Sequence, residues 1–245
     1  MRAFSLLAAA FVLFFSAGLS RAADKPLTLR WHGQACFLLT SPAGTAVLMD
    51  PFGEKMGYPV PSVKAEAVTI SHEHFDHNNA GAAKPGAKVI HGLTESGFLQ
   101  VNEKVGDVHI RSVATYHDSR QGMMRGKNTV FIFETAGLTV VHLGDLGHVL
   151  DDEQVKAIGK TDVLLIPVGG TYTIDAAEAT QVMNQLRPKI VVPMHYKTDK
   201  TPNLPVAPVD DFLQGKPKVQ RVKGNELAVK ELPAETTIIV LDYKP

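Results

Sequence analysis

Histidine and aspartate residues are concentrated in one short segment, SHEHFDHNN at 71–79, which directly follows the apolar run AVTI. In an extended backbone, residues two apart project to the same side, so His72 and His74 are positioned to bind one ion. Asp76 and His77 follow at a turn, where they can bind a second ion nearby. Imidazole and carboxylate suit Zn²⁺, Fe or Mn, so this spacing predicts a metal site. The alternative, a surface histidine cluster, does not usually follow a buried strand.

Three further residues of ligand type lie at or just beyond the ends of predicted strands. They are His117 in SVATYHDS, Asp145 in VVHLGD and His195 in IVVPMH. In a layered α/β sandwich, groups at strand ends line one edge, where sites are built. Because one short motif supplies too few ligands for two ions, these residues are expected to complete the site.

Predicted strands account for most of the chain up to Asp145. Turn residues separate them, as at Ser41 to Gly44, and the pair Ala136-Gly137 indicates a tight hairpin. The predicted strands span 27–31, 35–40, 45–50, 67–71, 88–92, 107–114, 129–135 and 138–145.

Beyond Asp145, strands and helices alternate. Helices are predicted at 151–158, at 175–186, where Pro188 follows, and near 209–213. Strands rich in Val, Ile and Leu are predicted at 162–168, 190–195 and 236–243. Such near-continuous apolar runs indicate sheet faces that helices cover, so the fold class is α/β.

Composition points to one domain. The chain has 245 residues, of which 44% are hydrophobic, and no shift in composition divides it. Lys and Arg total 25 and so do Asp and Glu, without a basic run, so no nucleic-acid partner is expected. Cys36 is the single cysteine, which excludes an intramolecular disulfide, and its apolar neighbours predict burial.

The N-terminus has the pattern of a secretory signal peptide at 1–22. Arg2 precedes an apolar stretch at 3–15, and small residues lead to a cleavage site after Ala22. The stretch is shorter than the roughly 20 residues of a spanning helix, which disfavours an uncleaved anchor. We therefore expect a mature domain of 23–245, periplasmic or secreted, without a stable membrane anchor.

The order of these residues resembles the metallo-β-lactamase superfamily over almost all of 27–243. That family has an aspartate after an early strand, then His-x-His-x-Asp-His, a lone histidine, a bridging aspartate and a last histidine. The matching positions here are Asp50, His72 to His77, His117, Asp145 and His195. The stretches HLGDLGH, DVLLIPVGGTYTIDAAEA and PMHY are most similar to the branch that contains the phosphorylated-ascorbate lactonase and many metal-dependent hydrolases. The resemblance implies a four-layer αββα sandwich of two mixed sheets flanked by helices.

The resemblance also implies two divalent metal ions, zinc first, with Mn or Fe as alternatives. By the resemblance, His72, His74 and His117 would hold the first ion, and Asp76, His77 and His195 would hold the second. Asp145 would bridge the two ions. Asp50 would orient a ligand histidine by a hydrogen bond. One departure is Gly33-Gln34-Ala35, where this branch often has Gly-His-Ser or Gly-His-Ala. A substrate role of that histidine would be altered here.

The function that follows is an exported hydrolase of a small-molecule lactone, ester, amide or phosphodiester. A metal-bridging hydroxide would attack the substrate, and Asp76 or Asp145 would shuttle the proton. The alternative is a non-catalytic metal-binding or interaction protein that retains the fold. A nuclease is disfavoured by the absent basic patch. A flavin-linked di-iron enzyme is disfavoured because such relatives usually have a carboxylate at the position of His74. No particular oligomeric state is indicated.

Several other residues are candidates for contacts with a metal ligand or with the substrate. Arg125, with Lys127 and Asn128, could bind an anionic substrate or be solvated. His148 could face the cleft or cap a turn. Tyr172 and Thr173 resemble family residues near the pocket, although Thr173 could instead cap the next helix. Packing or hydrogen bonding is expected of the strand histidines, with His142 closest to the site: His32, His91, His109 and His142.

Overall fold

The computed structural model describes residues 25–244, so the predicted signal peptide at 1–22 lies outside the described residues. Within that range, helices are too short or too polar to cross a bilayer. The strands, in chain order, are β1 Leu27–Gly33, β2 Cys36–Thr40, β3 Ala46–Met49, β4 Ala67–Ile70, β5 Lys88–His91, β6 Asn102–Val105, β7 Val108–Tyr116, β8 Lys127–Thr135, β9 Leu138–His142, β10 Val163–Pro167, β11 Ile190–Met194, β12 Val219–Arg221, β13 Glu226–Val229 and β14 Thr237–Val240. The α-helices are α1 Asp152–Ile158, α2 Ala176–Leu186 and α3 Val209–Leu213.

The strands form two mixed sheets. The first has the order β13-β1-β2-β3-β4-β5, and the second has the order β12-β14-β11-β10-β9-β8-β7-β6. In the first sheet β3, β4 and β5 are parallel, and the pairs from β13 to β3 are antiparallel. In the second, the pairs from β12 to β9 are parallel and those from β9 to β6 antiparallel. The predicted pair of mixed sheets is confirmed.

The main hydrophobic core lies between the sheets. Trp31 and Phe37 from the first sheet share one buried cluster with Phe131 and Phe133 from the second. Helix α1 lies against β7, and α2 lies against β10 and α3, so these helices cover the second sheet. The outer face of the first sheet packs under two 3-10 turns, at Glu54–Met56 and Ala80–Ala82. This order of layers confirms the αββα class, with 3-10 turns as the outer layer on one side.

Cys36 is fully buried in the smaller cluster, on the outer face of the first sheet, as its apolar neighbours predicted. The predicted hairpin between β8 and β9 is also present. Ala136 and Gly137 have φ of 50° and 77°. Positive φ at both central residues is the requirement of a type I′ turn, whose twist matches the flanking strands.

Helix α2 begins with a capping box. The Asp175 carboxylate accepts the backbone N–H groups of Ala177 and Glu178, and the Glu178 side chain accepts the Asp175 N–H. The alternative in which Thr173 caps this helix is therefore wrong. Helix α1 begins in the same way at Asp151, whose carboxylate accepts the N–H of Gln154.

The strands β6, β12 and β13 were missing from the sequence prediction. Each has three or four residues, and most of their side chains are exposed or half-buried. Both β12 and β13 lie at sheet edges, as does β6. Short edge strands bury few side chains, so they lack the apolar pattern that identifies the central strands.

Candidate metal centre

The expected ligands meet at the carboxyl ends of strands from both sheets. Asp50 follows β3 and His72 lies just beyond β4 in the first sheet, whereas His117, Asp145 and His195 lie beyond β7, β9 and β11 in the second. Two antiparallel steps separate β7 from β9, so β7, β9 and β11 run in one direction and end at the same edge. The sandwich thereby places residues distant in sequence in one cluster.

The first ligand group consists of His72, His74 and His117. One ring nitrogen from each lies within 4.8 Å of the others. His72 Nε2 is 3.1 Å from His74 Nδ1, and the His117 ring centroid is 4.8 Å from that of His72 and 5.0 Å from that of His74. Three imidazoles that face one point match the donor set of a divalent transition metal.

The second ligand group consists of Asp76, His77 and His195, and it lies beside Asp145, with one ligand atom from each of the four within 4.8 Å of the others. His77 Nε2 is 3.4 Å from Asp76 Oδ2 and 3.2 Å from Asp145 Oδ1. The other oxygen of Asp145, Oδ2, is 3.2 Å from His117 Nε2 and 3.3 Å from His195 Nε2. The Asp145 carboxylate therefore contacts ligands of both groups, the position that a bridging role requires.

The residues present fit a bound cation. His77 Nε2 and Asp145 Oδ1 are buried and, although 3.2 Å apart, are not aligned for a hydrogen bond with each other or with another described residue. Buried polar atoms normally have a partner because an unpaired one is costly. A cation that both atoms coordinate would satisfy them, and the nitrogen and oxygen donors suit Zn²⁺, Mn or Fe.

Charge in the cluster is distributed unevenly. Burial opposes a charge on His77, but the carboxylates of Asp145 and Asp76 raise its pKa well above the usual value. Burial likewise opposes a charge on His195, and Asp145 raises its pKa. Burial lowers the pKa of His72 and His74. The carboxylates thus favour positive charge around the second ligand group.

Asp50 orients two of the ligand histidines through hydrogen bonds. Its Oδ2 is 2.9 Å from His77 Nδ1, so the opposite nitrogen, Nε2, faces the other ligands. Its Oδ1 accepts the Ser71 N–H at 2.8 Å, and the Ser71 hydroxyl lies 3.0 Å from His72 Nδ1. One buried carboxylate therefore orients His77 directly and His72 through Ser71, which extends the expected role of Asp50. The sequence analysis missed Ser71.

Asn128 positions Asp145 rather than a substrate. Its Oδ1 accepts the Asp145 backbone N–H at 2.9 Å, and its Nδ2 donates to Thr115 Oγ1 and to the Leu143 carbonyl. Lys127 donates to the Ser96 carbonyl away from the cluster. Neither residue lines the cavity over the cluster, so the structure gives no support to a contact of Asn128 or Lys127 with an anionic substrate.

A cavity of about 450 Å³ opens over the cluster, which forms its floor. Arg125 and Tyr172 are in its wall, with the guanidinium carbon of Arg125 5.7 Å from the centre of the Tyr172 ring. Thr173 is buried, and its hydroxyl donates to the Ile174 carbonyl. The cavity is lined by Gln34, Met56, His74, Phe75, Asp76, His117, Met124, Arg125, Asp145, Tyr172, His195 and Leu204.

Of the five remaining histidines, two form hydrogen bonds with the backbone, two pair with carboxylates at the surface, and one lies in β1. His148 Nε2 accepts the Tyr116 N–H and its Nδ1 donates to the Val149 carbonyl, which is the turn-stabilising alternative. His142 donates from Nε2 to the Ala35 carbonyl and accepts the Gly144 N–H, next to Asp145. Two other histidines pair with carboxylates at the surface: His91 with Glu73, and His109 with Glu134. His32 lies in β1, where burial lowers its pKa to about 4.

Gln34, where the resemblance led us to expect histidine, contacts a residue of the second ligand group. It is almost fully buried, and its Nε2 donates to Asp76 Oδ2 at 3.0 Å. Replacing Gln34 with Leu removes this donor, so we expect the affinity for the second metal equivalent to fall by roughly 10-fold or more, as for other partners of metal ligands. Competition with a chromogenic chelator measures it. Gln34→His restores a donor and is the matched control; equal affinity of Gln34→Leu and wild type would contradict the role.

Metal uptake is expected to release protons. The raised pKa values of His77 and His195 favour their protonated forms, and a cation that binds their ring nitrogens would replace those protons. Calorimetric titration of metal-free protein at pH 7, in buffers that differ in ionisation enthalpy, gives the number of protons released. His77→Gln should reduce that number. An observed heat independent of the buffer would exclude proton release.

Comparison with known proteins gives the family of the chain. Residues 28–195 match the family described as a β-lactamase superfamily domain. A UPF0173 metal-dependent hydrolase from Thermoplasma volcanium is 30% identical over 189 residues, which are 69% of this chain and 82% of the relative. Another, from Myxococcus xanthus, is 31% identical over 235 residues, 85% of this chain and 82% of the relative.

A similar fold occurs in a crystal structure from Thermotoga maritima, described as a candidate zinc-dependent hydrolase of the metallo-β-lactamase superfamily. It is 40% identical with a TM-score of 0.70, and the match covers 88% of this chain and 98% of that one. The family match, the curated relatives and this structure agree on one family, and the structural match agrees with the two-sheet sandwich. The chain therefore belongs to the metallo-β-lactamase superfamily.

Proposed function

We propose that the protein is a metal-dependent hydrolase with two divalent cations, acting on a small-molecule lactone, ester, amide or phosphodiester. The observation that carries the proposal is the Asp145 carboxylate, whose oxygens contact His117 of one ligand group and His77 and His195 of the other, beneath an open cavity. Relatives named metal-dependent hydrolases support the reaction class.

Two cations, when bound, lower the pKa of water and polarise the oxygen of the scissile group. The protein supplies the proton acceptor. The Asp76 side chain is 15% exposed, whereas that of Asp145 is 3% exposed, so Asp76 has better access to the cavity. Gln34 Nε2 donates a hydrogen bond to Asp76 Oδ2. The other oxygen, Oδ1, is therefore left to accept a proton from water and pass it to the leaving group.

Zinc is the proposed metal because the cluster combines five imidazoles with carboxylates and no sulfur. We also propose export to the periplasm or beyond, which rests on the signal-like pattern of 1–22. N-terminal sequencing of the protein recovered from its native compartment tests export. A mature N-terminus at Ala23 is expected, and an intact N-terminus in the cytoplasm would contradict it.

Elemental analysis of untagged protein, purified without added metal, tests the metal content. We expect about two equivalents of Zn, Mn or Fe per chain, as a two-metal site requires. A parallel screen covers lactones, esters, β-lactams and phosphodiesters, with and without a chelator. Turnover that a chelator abolishes and added metal restores supports the hydrolase.

The opposite results are also informative. Bound metal without turnover on any substrate would favour the non-catalytic alternative, although the open 450 Å³ cavity is unlike a closed structural site. No metal after reconstitution would overturn the proposal itself.

A further inference from the structure

Large apolar side chains are exposed at the mouth of the metal cavity. Phe75, Met124 and Tyr172 line the cavity and are 59%, 61% and 37% exposed. Together with Met123, which is 85% exposed, they are four of the six exposed large hydrophobic side chains among the described residues. We call Phe75, Met124 and Tyr172 the apolar rim. Exposed apolar patches of this kind mark binding surfaces.

A fixed loop presents part of this rim. It follows the ligand His117, and the Asp118 carboxylate accepts four backbone N–H groups within it. These hydrogen bonds come from Arg120, Gly122, Met124 and Arg125 at 2.7 to 3.0 Å. Asp118 is itself buried. Because the loop shape is held by Asp118, Met124 remains at the cavity mouth without a cover of its own.

Arg125 adds a positive charge to the same wall. Its guanidinium stacks at 5.7 Å from the Tyr172 ring, and within residues 25–244 it has no carboxylate partner. A guanidinium on an aromatic face remains free to bind an anion through its N–H groups. The wall thus combines an apolar surface with one cationic group.

We propose that the cavity takes an amphipathic substrate, in which an apolar chain or ring packs on the apolar rim and an anionic group binds Arg125. This inference rests on the proposed function and specifies its substrate class. The rim is continuous with the cavity floor, so a ligand that contacts both places its polar bond over the metal ligands. Charge complementarity with Arg125 selects an anion over a cation.

Binding of straight-chain alkyl sulfonates to the metal-loaded protein tests the inference without requiring turnover. Sulfonate is a poor ligand for divalent metals, so it reports on Arg125 and the rim. From butanesulfonate to octanesulfonate, we expect affinity to rise about two- to threefold per methylene, somewhat less than for complete burial. Alkyl trimethylammonium ions of equal length should bind at least 10-fold more weakly, the scale of one charged hydrogen bond.

Three variants separate the contributions. Met124→Gln should flatten the dependence on chain length, and Arg125→Gln should weaken every sulfonate by about 10-fold without changing that dependence. Val89→Thr is the matched control, since Val89 is 40% exposed on β5 outside the cavity, and it should bind like wild type. Metal content is measured for each variant to establish that the site is intact.

Two kinds of result would overturn the inference. One is a sulfonate affinity of wild type that does not change with chain length, or a change with chain length that is the same in Met124→Gln as in wild type. The other is binding of wild type to neutral phospholipid vesicles that Met123→Gln abolishes, which would make the exposed side chains a membrane-facing surface. Either result leaves the proposed hydrolase standing, whereas absent turnover with intact sulfonate binding would remove only the hydrolase.

Discussion

Replacing Asp145 with Asn is expected to abolish most of the metal binding and the activity. The substitution keeps the size of the side chain but removes the negative charge that lies between His77, His117 and His195. We expect the metal content to fall and hydrolysis to decrease by more than the roughly 10- to 100-fold that follows loss of an outer partner of a metal ligand. The thermal stabilisation by added metal should disappear as well, because metal that binds only the folded state stabilises it.

Elemental analysis, thermal denaturation with and without zinc, and the hydrolysis assay check this expectation. Asp162→Asn is the matched control. Asp162 is also buried, but its carboxylate accepts the Thr139 N–H at 2.9 Å, far from the ligand cluster. It should lose stability and keep its metal. Full metal content in Asp145→Asn would remove Asp145 from the ligand set.

Gly147→Ala is expected to have the second largest effect. A Cβ at this position would lie 2.2 Å from the carbonyl carbon of His117 and 2.4 Å from the nitrogen of Asp118. Since both are backbone atoms, the chain that carries His117 must move. We expect the free energy of unfolding to fall by about 3 kcal/mol, the upper end for overpacking, and the first ligand group to lose metal affinity.

Urea denaturation and chelator competition measure the two effects. Gly53→Ala is the control, since a Cβ there meets no atom within 4 Å and the φ of Gly53, −94°, suits any residue. Wild-type stability of Gly147→Ala would show that the strand end at His117 tolerates displacement. In that case rigid positioning of this ligand would not be needed.

The sequence predicted the central strands and the ligand cluster for the same reason. Buried strands such as β10 and β11 are uninterrupted apolar runs, and ligand-type residues at their ends stand out against them. The edge strands β12 and β13 have no such pattern because their side chains mostly face solvent. The sequence therefore predicts mainly the strands that are buried in the core, because their positions must be apolar.

The supporting contacts of the site were harder to predict. Asn128 is 17 residues from Asp145 in sequence, and only the pairing of β8 with β9 brings its amide to the Asp145 backbone. Asp118 has the same difficulty, since its carboxylate binds backbone groups and leaves no pattern in side-chain types. Gly147 depends on a close approach of two segments. Such roles follow from tertiary distances, which spacing in the chain does not encode.

The loop after His117 has an evolutionary consequence. Asp118 fixes its shape through backbone N–H groups alone, at Arg120, Gly122, Met124 and Arg125. Every residue except proline offers such a group, so most side chains there can change without altering the loop. Mutations at Met124 or Arg125 thus change the lining of the cavity while the neighbouring ligand His117 keeps its place. Because the loop side chains and the metal ligands can change separately, new substrate preferences can arise in small steps while the metal ligands stay unchanged.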